Sequence, residues 1–564
     1  MGNKNLIIAI VLSLVIWIAW GQFFGKKPVP QTTQVVAEAE SKKDASQPKA
    51  DEKTDTTEKT ETKKVQKVST KTPAVETKNS IKVKNYNAVL SNKGARIESI
   101  KYGEKQIELV AGREKLDVKG YLDFPVYFSD KELLSGSSLD DEIWEVKKAE
   151  GNEVVYALTA EINGKNIIIE KSYLFNNETH SFDVAFRITN TSADEFEFPS
   201  GSIYLTSPDF LGPQIENYEG YYNAPSTIYA LSEDPEDLEK GKKGGGWFSD
   251  ETDTKEGKNP VWAGVSSRFI SLVMIPQNFK ADAVKYDSRK TPGHRTALVS
   301  SNAKLKSGET AERKIKVALA EKNKDILLAV DKSIVPAVDI NKWIEPIRWV
   351  VLKILFGING VFGNLGVSII LLSILTKLIF LPLTIKSTNS MKKMSELSPK
   401  MAELKIKYKD KPQELQKEMM ALYKNAGVNP LGGCLPLIIQ MPFFFALYSA
   451  LSNSIDMWRA PFFFWMQDLS MPDTVGHLMG LNLNILPLIM VVTSFLQQKM
   501  TTMDTGNPQQ KMMMMLMPVM FLFFFWSMPS GLVIYWIVQN ALQIAHQLYI
   551  TRKPAKTVKA GGTK

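Results

Sequence analysis

Residues Val361–Leu383 read VFGNLGVSIILLSILTKLIFLPL. This run holds a single charge, Lys377, and at 1.5 Å per helical residue it is long enough to cross a hydrocarbon core about 30 Å thick. The stretch predicts a transmembrane helix over residues 361–385, and similar runs flank it. Leu431–Leu451, Leu481–Gln498 and Met512–Ile550 are uncharged, and the last is long enough for two spans divided at Pro529-Ser530-Gly531. Near the start, Leu6–Phe24 is apolar with Lys4 before it and Lys26-Lys27 after it. Trp17, Trp20, Phe23 and Phe24 crowd its end, as suits a retained anchor at a membrane interface better than a cleaved signal. The expected total is six transmembrane helices: 1–25, 361–385, 430–452, 481–498, 512–528 and 531–550.

Between the first two spans the chain is of another kind. The 564 residues average 44% hydrophobic and 23% charged, but the polar residues concentrate in the first part. Residues 26–80 are rich in Lys, Thr, Glu and Pro and too poor in large apolar side chains to offset ordering, so they predict a disordered tether. From Ile81 the pattern alternates, as in Glu153-Val-Val-Tyr-Ala-Leu and Ser181-Phe-Asp-Val-Ala-Phe-Arg-Ile. Asn163-Gly164, Asn176-Asn177 and Asn190 mark turns. Such patterning predicts an antiparallel β-sandwich over residues 81–335, with 234–259 as a charged, glycine-rich surface loop. Residues 338–358 predict an amphipathic interfacial helix, with Trp343, Ile344, Ile347, Val350, Val351 and Ile354 on one face and Lys342, Arg348 and Lys353 elsewhere.

Loop charge orients the whole. Residues 386–429 hold ten lysines against five acids, whereas 452–480 hold only Arg459 beside three aspartates. Lys499–Lys511 has a lysine at each end, and the tail 551–564 carries Arg552, Lys553, Lys556, Lys559 and Lys564. One assignment satisfies the positive-inside bias throughout: both termini cytoplasmic, residues of about 25–350 outside. The single cysteine, Cys434, excludes an intrachain disulfide.

Lys377 is the residue that points to function. A cation at bilayer depth costs about 2.5–3.5 kcal/mol on insertion scales, so such residues face a bundle interior or a wet cavity. Polar candidates on the same side are Ser373, Gln440, Gln539, Asn540 and Gln543, and no acid lies within any span. An unpaired cation among amides reads as a docking point for an anion; snorkelling to headgroups is the alternative. Residues 386–429 predict a helical hairpin striped by Met391, Met394, Met401, Leu415 and Met419, where plain packing outweighs partner binding. The four histidines show no metal-ligand spacing, and no phosphate loop or nucleophile motif is present, so no catalysis, cofactor or metal is expected. A secondary transporter would want paired ionisable residues or inverted repeats, neither of which is evident. An envelope scaffold working through its β-domain is the remaining rival.

Several ordered motifs carry a resemblance: Asn364-Leu-Gly-Val-Ser-Ile-Ile-Leu, Glu418-Met-Met-Ala-Leu-Tyr-Lys, Val428-Asn-Pro-Leu-Gly-Gly-Cys-Leu-Pro-Leu-Ile-Ile-Gln-Met-Pro, Gln509-Gln-Lys-Met and Pro529-Ser-Gly-Leu-Val-Ile-Tyr-Trp. Through them, residues of roughly 349–552 resemble the YidC insertase family. The layout before them is similar to the Gram-negative type, with its large periplasmic domain. The resemblance implies a five-helix core with a hydrophilic groove open to cytoplasm and lipid, lined here by Lys377, Ser373, Gln440, Trp536 and Asn540. It implies a β-sandwich related to sugar-mutarotase folds and a location in the bacterial inner membrane. The implied partners are nascent membrane-protein clients, the Sec translocon, the ribosome or signal-recognition components, and the bilayer itself, without direct nucleic-acid binding. Lys377 stands where the family more commonly has arginine, keeping the charge while losing the planar fork.

Overall fold

The computed structural model describes residues 75–110, 120–129, 132, 136–208, 212–213, 226–231, 238–240, 259–286, 296–301, 304–338, 343–409, 411–428, 435–478, 481–501 and 508–552. The expected first span and most of the tether lie outside these residues. The chain divides into two compact units between Val338 and Asp339.

The first unit is built of antiparallel sheets. Nine strands lie in the spatial order Leu238–Lys240, Ser226–Ala230, Trp262–Ser266, Ile270–Pro276, Thr310–Glu321, Ser181–Asn190, Lys165–Phe175, Glu153–Ile162 and Glu145–Glu150. Two four-stranded sheets accompany them, one containing Lys78–Lys82, Tyr86–Ser91, Arg96–Tyr102 and Ile107–Glu108, the other Ala283–Tyr286, Thr296–Ser301, Ser202–Thr206 and Val126–Tyr127. Asn163 and Gly164 both take positive φ, 53° and 74°, closing the two-residue hairpin between Ile162 and Lys165. That is the turn whose twist matches paired strands, and it needs residues that tolerate the left-handed region. Aromatic rings fill the interior: Phe175 stacks on Phe182 at 4.8 Å and Tyr86 meets Phe175 edge-on at 6.2 Å. The Tyr86 hydroxyl donates to the Leu319 carbonyl, tying a four-stranded sheet to the nine-stranded one.

Two boundaries move. The first strand starts at Lys78, inside the expected tether, because Lys78, Asn79 and Ser80 pair with Ser91, Leu90 and Val89. Leu238–Lys240, expected within a surface loop, is an edge strand on Ser226–Ala230; residues 241–258 lie outside the described set. Lys171 is fully buried in the nine-stranded sheet, and its ammonium donates to the Asp123 carbonyl. Burial lowers its pKa to about 7, against the opposing pull of Asp123 and Asp140.

The second unit is helical. Its described helices are α1 (Glu345–Phe362), α2 (Leu365–Ile379), α3 (Leu381–Glu396), α4 (Ser398–Lys407), α5 (Pro412–Asn425), α6 (Leu435–Asn453), α7 (Ile485–Thr501), α8 (Pro508–Phe525) and α9 (Ser530–Arg552). α1 packs on α2 and α6, α9 packs on α2, α6 and α7, and α8 on α7. Leu355, Ile369, Leu447, Met490, Phe525 and Leu532 belong to the common core. Among the described residues one helical path, Leu365–Met394, is long and apolar enough to cross a membrane; Ile485–Met500 and Leu516–Phe525 are shorter apolar helices.

Three expectations need correction here. Val361 and Phe362 end α1 rather than begin a span: Gly363 turns left-handed at φ 64°, and Asn364 caps α2 by accepting the Val367 N–H at 3.1 Å. Leu481–Asn484 is a strand paired with Thr474–Leu478, and the helix starts four residues later than expected, at Ile485. Its start is fixed by Asp473, whose Oδ2 accepts the N–H groups of Ile485 and Leu486 at 3.0 and 2.7 Å. On α1 the buried face is Arg348, Val351 and Leu355, while Trp349 and Val350 are exposed. Arg348 can lie inside because Glu345, one turn earlier, meets its guanidinium at 3.4 Å.

Candidate functional site

α2 and α9 face each other through a polar line. Ser373, Thr376 and Lys377 lie on α2, and Tyr535, Gln539 and Gln543 recur every four residues on α9, which places them on one helical face. The Lys377 ammonium, half-buried, donates to Gln543 Oε1 at 2.6 Å. Gln539 Nε2 donates to the Ser373 carbonyl at 2.9 Å and to Thr376 Oγ1 at 3.1 Å. From α6, Gln440 Nε2 donates to the Tyr535 hydroxyl at 2.7 Å. Among the described residues no carboxylate forms an ion pair with Lys377. His546 lies one turn beyond Gln543, and its Nδ1 is buried without a hydrogen-bond partner among the described residues.

Lys377, Ser373 and Gln440 are therefore brought together, the second through Gln539 and Thr376 and the third through Tyr535. Ser373 itself is fully buried, its hydroxyl donating to the Ile369 carbonyl at 2.6 Å. The other two expected residues lie elsewhere. Trp536 packs among Phe444, Phe521 and Phe525, with ring centroids 5.3–5.8 Å away. Asn540 turns toward α7, donating to Ser494 at 2.8 Å and Thr493 at 3.2 Å. Thr376 and Tyr535 escaped the sequence reading; the four-residue spacing from Tyr535 to Gln539 to Gln543 is a signal for the face of Tyr535 alone.

In the hairpin, Met401 is buried and receives the Tyr423 hydroxyl at 3.8 Å, whereas Met420 and Ile406 are exposed. α5 buries no residue. Among the described residues no group of three or more His, Cys, Asp or Glu is placed to hold a metal.

A unit of antiparallel sheets and an apolar helical unit with a polar line inside it make up the described chain. Comparison sharpens the class. A family model described as 60Kd inner membrane protein matches residues 357–557, and one described as YidC periplasmic domain matches residues 78–347. A membrane protein insertase YidC from Syntrophus aciditrophicus is 33% identical over 482 residues, 83% of this chain and 84% of that protein. An active YidC insertase crystal structure with its first transmembrane domain resolved aligns with a TM-score of 0.35 at 18% identity, over 84% of this chain and 95% of that one. A galactose mutarotase-like protein from Lactobacillus casei aligns with a TM-score of 0.32 at 11% identity, over 43% of this chain and all of its own. The chain belongs to the YidC family of membrane protein insertases, with that family's periplasmic domain.

Proposed function

We propose that this chain inserts hydrophobic segments of other proteins into the bacterial inner membrane through a polar groove between α2 and α9. The observation that carries the reading is Lys377: a half-buried cation held by the neutral oxygen of Gln543 rather than by a carboxylate. A neutral acceptor satisfies one N–H of the ammonium and leaves its charge available to an incoming anion. A client with a short acidic tail places that tail against Lys377, and its apolar segment partitions into lipid along the helices. Transfer of apolar surface drives the step, at about 25 cal/mol per Å² removed from water. No nucleotide, cofactor or metal takes part. The six-span topology with cytoplasmic termini, and partnership with the Sec translocon and with the ribosome or signal-recognition components, belong to this reading.

Depleting a host of its own insertase and supplying variants of this chain tests it. Lys377→Arg should support growth and client insertion nearly as wild type does. Lys377→Glu should fail most with acidic-tailed clients, since like charges several Å apart in a half-wet site repel by a few kcal/mol. Equal activity of the two variants would remove the electrostatic role. Loss of all insertion on deleting residues 81–328, in a protein that still reaches the membrane, would instead favour a scaffold acting through the β-domain.

A further inference from the structure

The loop between α6 and α7 carries Pro461-Phe462-Phe463-Phe464-Trp465, and most of this aromatic surface is turned outward. Phe464 is 84% exposed and Phe463 52%. The loop is nonetheless a built structure. The Phe462 N–H donates to the Met466 carbonyl at 2.9 Å, the Leu469 N–H to the Ala460 carbonyl at 3.0 Å, and the Trp465 indole to Asp473 at 3.2 Å. Phe464 holds a left-handed backbone at φ 61°, which bulky residues rarely adopt.

The depth of this turn follows from one contact. Phe462 lies against Gly366, the second residue of α2, so closely that a Cβ added there would stand 2.0 Å from the ring. Leu365 begins the one described helical path fit to cross a membrane. The Phe462 ring is thereby held level with one end of that path. α1 ends at the same level, because only Gly363 and Asn364 separate it from α2. It adds exposed apolar surface of its own in Val361, Phe362, Trp349 and Val350. Cations accompany both surfaces: the Arg459 guanidinium lies 4.7 Å from the Trp458 ring centre and the Lys353 ammonium 5.5 Å from that of Trp349. Aromatic rings beside cations are the composition of a membrane interface, where ring faces meet glycerol and acyl chains and the cations meet phosphate.

We propose that the turn Phe462–Trp465 is a second lipid anchor, seated in the headgroup–acyl boundary at the Leu365 end of the span and continuous with the exposed face of α1. The occupant of this surface is phospholipid. An anchor at that level would help fix the depth of the helix that carries Lys377.

Full-length protein with Cys434→Ser and Phe464→Cys, nitroxide-labelled at position 464 and reconstituted into phosphatidylethanolamine–phosphatidylglycerol vesicles, tests the proposal by relaxation with oxygen and with a water-soluble nickel chelate. Lys417→Cys on α5 supplies the aqueous reference and Val492→Cys on α7 the lipid reference. The expected oxygen-to-chelate ratio at position 464 is several-fold above the aqueous reference and below the lipid one. A ratio equal to that of Lys417→Cys overturns the proposal. Shielding from both relaxants also overturns it, because a protein surface, such as a second copy, would then cover the turn. Phe463→Cys gives the same reading should the first variant fail to fold.

Discussion

The Lys377 ammonium on α2 and the Gln543 side-chain oxygen on α9 stand 2.6 Å apart, and this contact joins two helices at their polar faces. The acceptor can be given a charge with almost no change of shape, which makes it the sharpest handle on the site. Gln543→Glu places a carboxylate where a client's acid is expected to dock. Insertion of acidic-tailed clients should fall by about tenfold or more, the equivalent of about 1.4 kcal/mol or more, within the roughly 4 kcal/mol between unit charges 4 Å apart at an effective dielectric near 20. Clients with uncharged tails should be little affected. Assays of paired clients differing only in tail charge read the difference; uniform loss would mean that the bundle, rather than the docking step, was damaged.

Asp473 secures the start of α7. Its Oδ2 accepts two backbone N–H groups and the Trp465 indole, all from partly or fully buried donors. Asp473→Ala removes an N-terminal cap and leaves those donors unmet, at a cost of about 2 kcal/mol or more. The melting temperature in detergent should drop by several degrees, and Asp473→Asn, which keeps one acceptor oxygen, should lie between.

Gly366 admits no side chain without movement of Phe462. Gly366→Ala should cost about 1–3 kcal/mol through overpacking. Adding Phe462→Ala to it should recover part of that loss, because the ring that clashes is then gone. The double-mutant cycle in detergent unfolding reads the coupling; additive effects would place the strain elsewhere.

Lys171 gives the β-domain a pH dependence of known sign. Burial lowers its folded pKa to about 7 from the ordinary 10.5. Between those values the unfolded chain binds the extra proton, so stability rises with pH from about 7 toward 10.5; below 7 both states are charged and the cost of the buried cation is fully present. Urea unfolding of the β-domain in wild type and in Lys171→Met, compared across this range, should show a slope that the methionine variant lacks.

The apolar runs announced the helical unit because uncharged stretches of such length have few other uses, and Lys377 announced itself as a lone charge within one of them. Alternation and the Asn163-Gly164 turn gave the β-unit in the same way, since each is a local signal. What stayed hidden depends on partners distant in sequence. Arg348 reads as a surface cation until Glu345 and the neighbouring helices are in place around it. Leu481–Asn484 reads as helix by its leucines, yet its strand depends on the facing residues Thr474–Leu478. Tyr535 is apolar enough to pass as packing, and only the proximity of Gln440 reveals its hydroxyl as part of a chain of contacts. Trp536 and Asn540, one and five residues on, fall on faces of α9 that serve other neighbours.

The loop between α6 and α7 also finishes the helices around it. The N–H groups of Ser530 and Gly531, which open α9, donate to the carbonyls of Met471 and Leu469 at 2.7 and 3.0 Å. Asn484 donates to the Trp526 carbonyl just after α8, at 2.6 Å. At this end α9 is tied by main-chain bonds from Ser530 and Gly531, while the Lys377–Gln543 contact between α2 and α9 is made by side chains alone. On the insertase function proposed above, the Lys377 end is the one expected to part. Under that proposal, cargo admitted sideways at that end would leave no continuous water column across the bilayer. A cell that stores energy as an ion gradient needs that property in any protein that opens its membrane, because a bundle loosened at both ends would discharge the gradient with each passage.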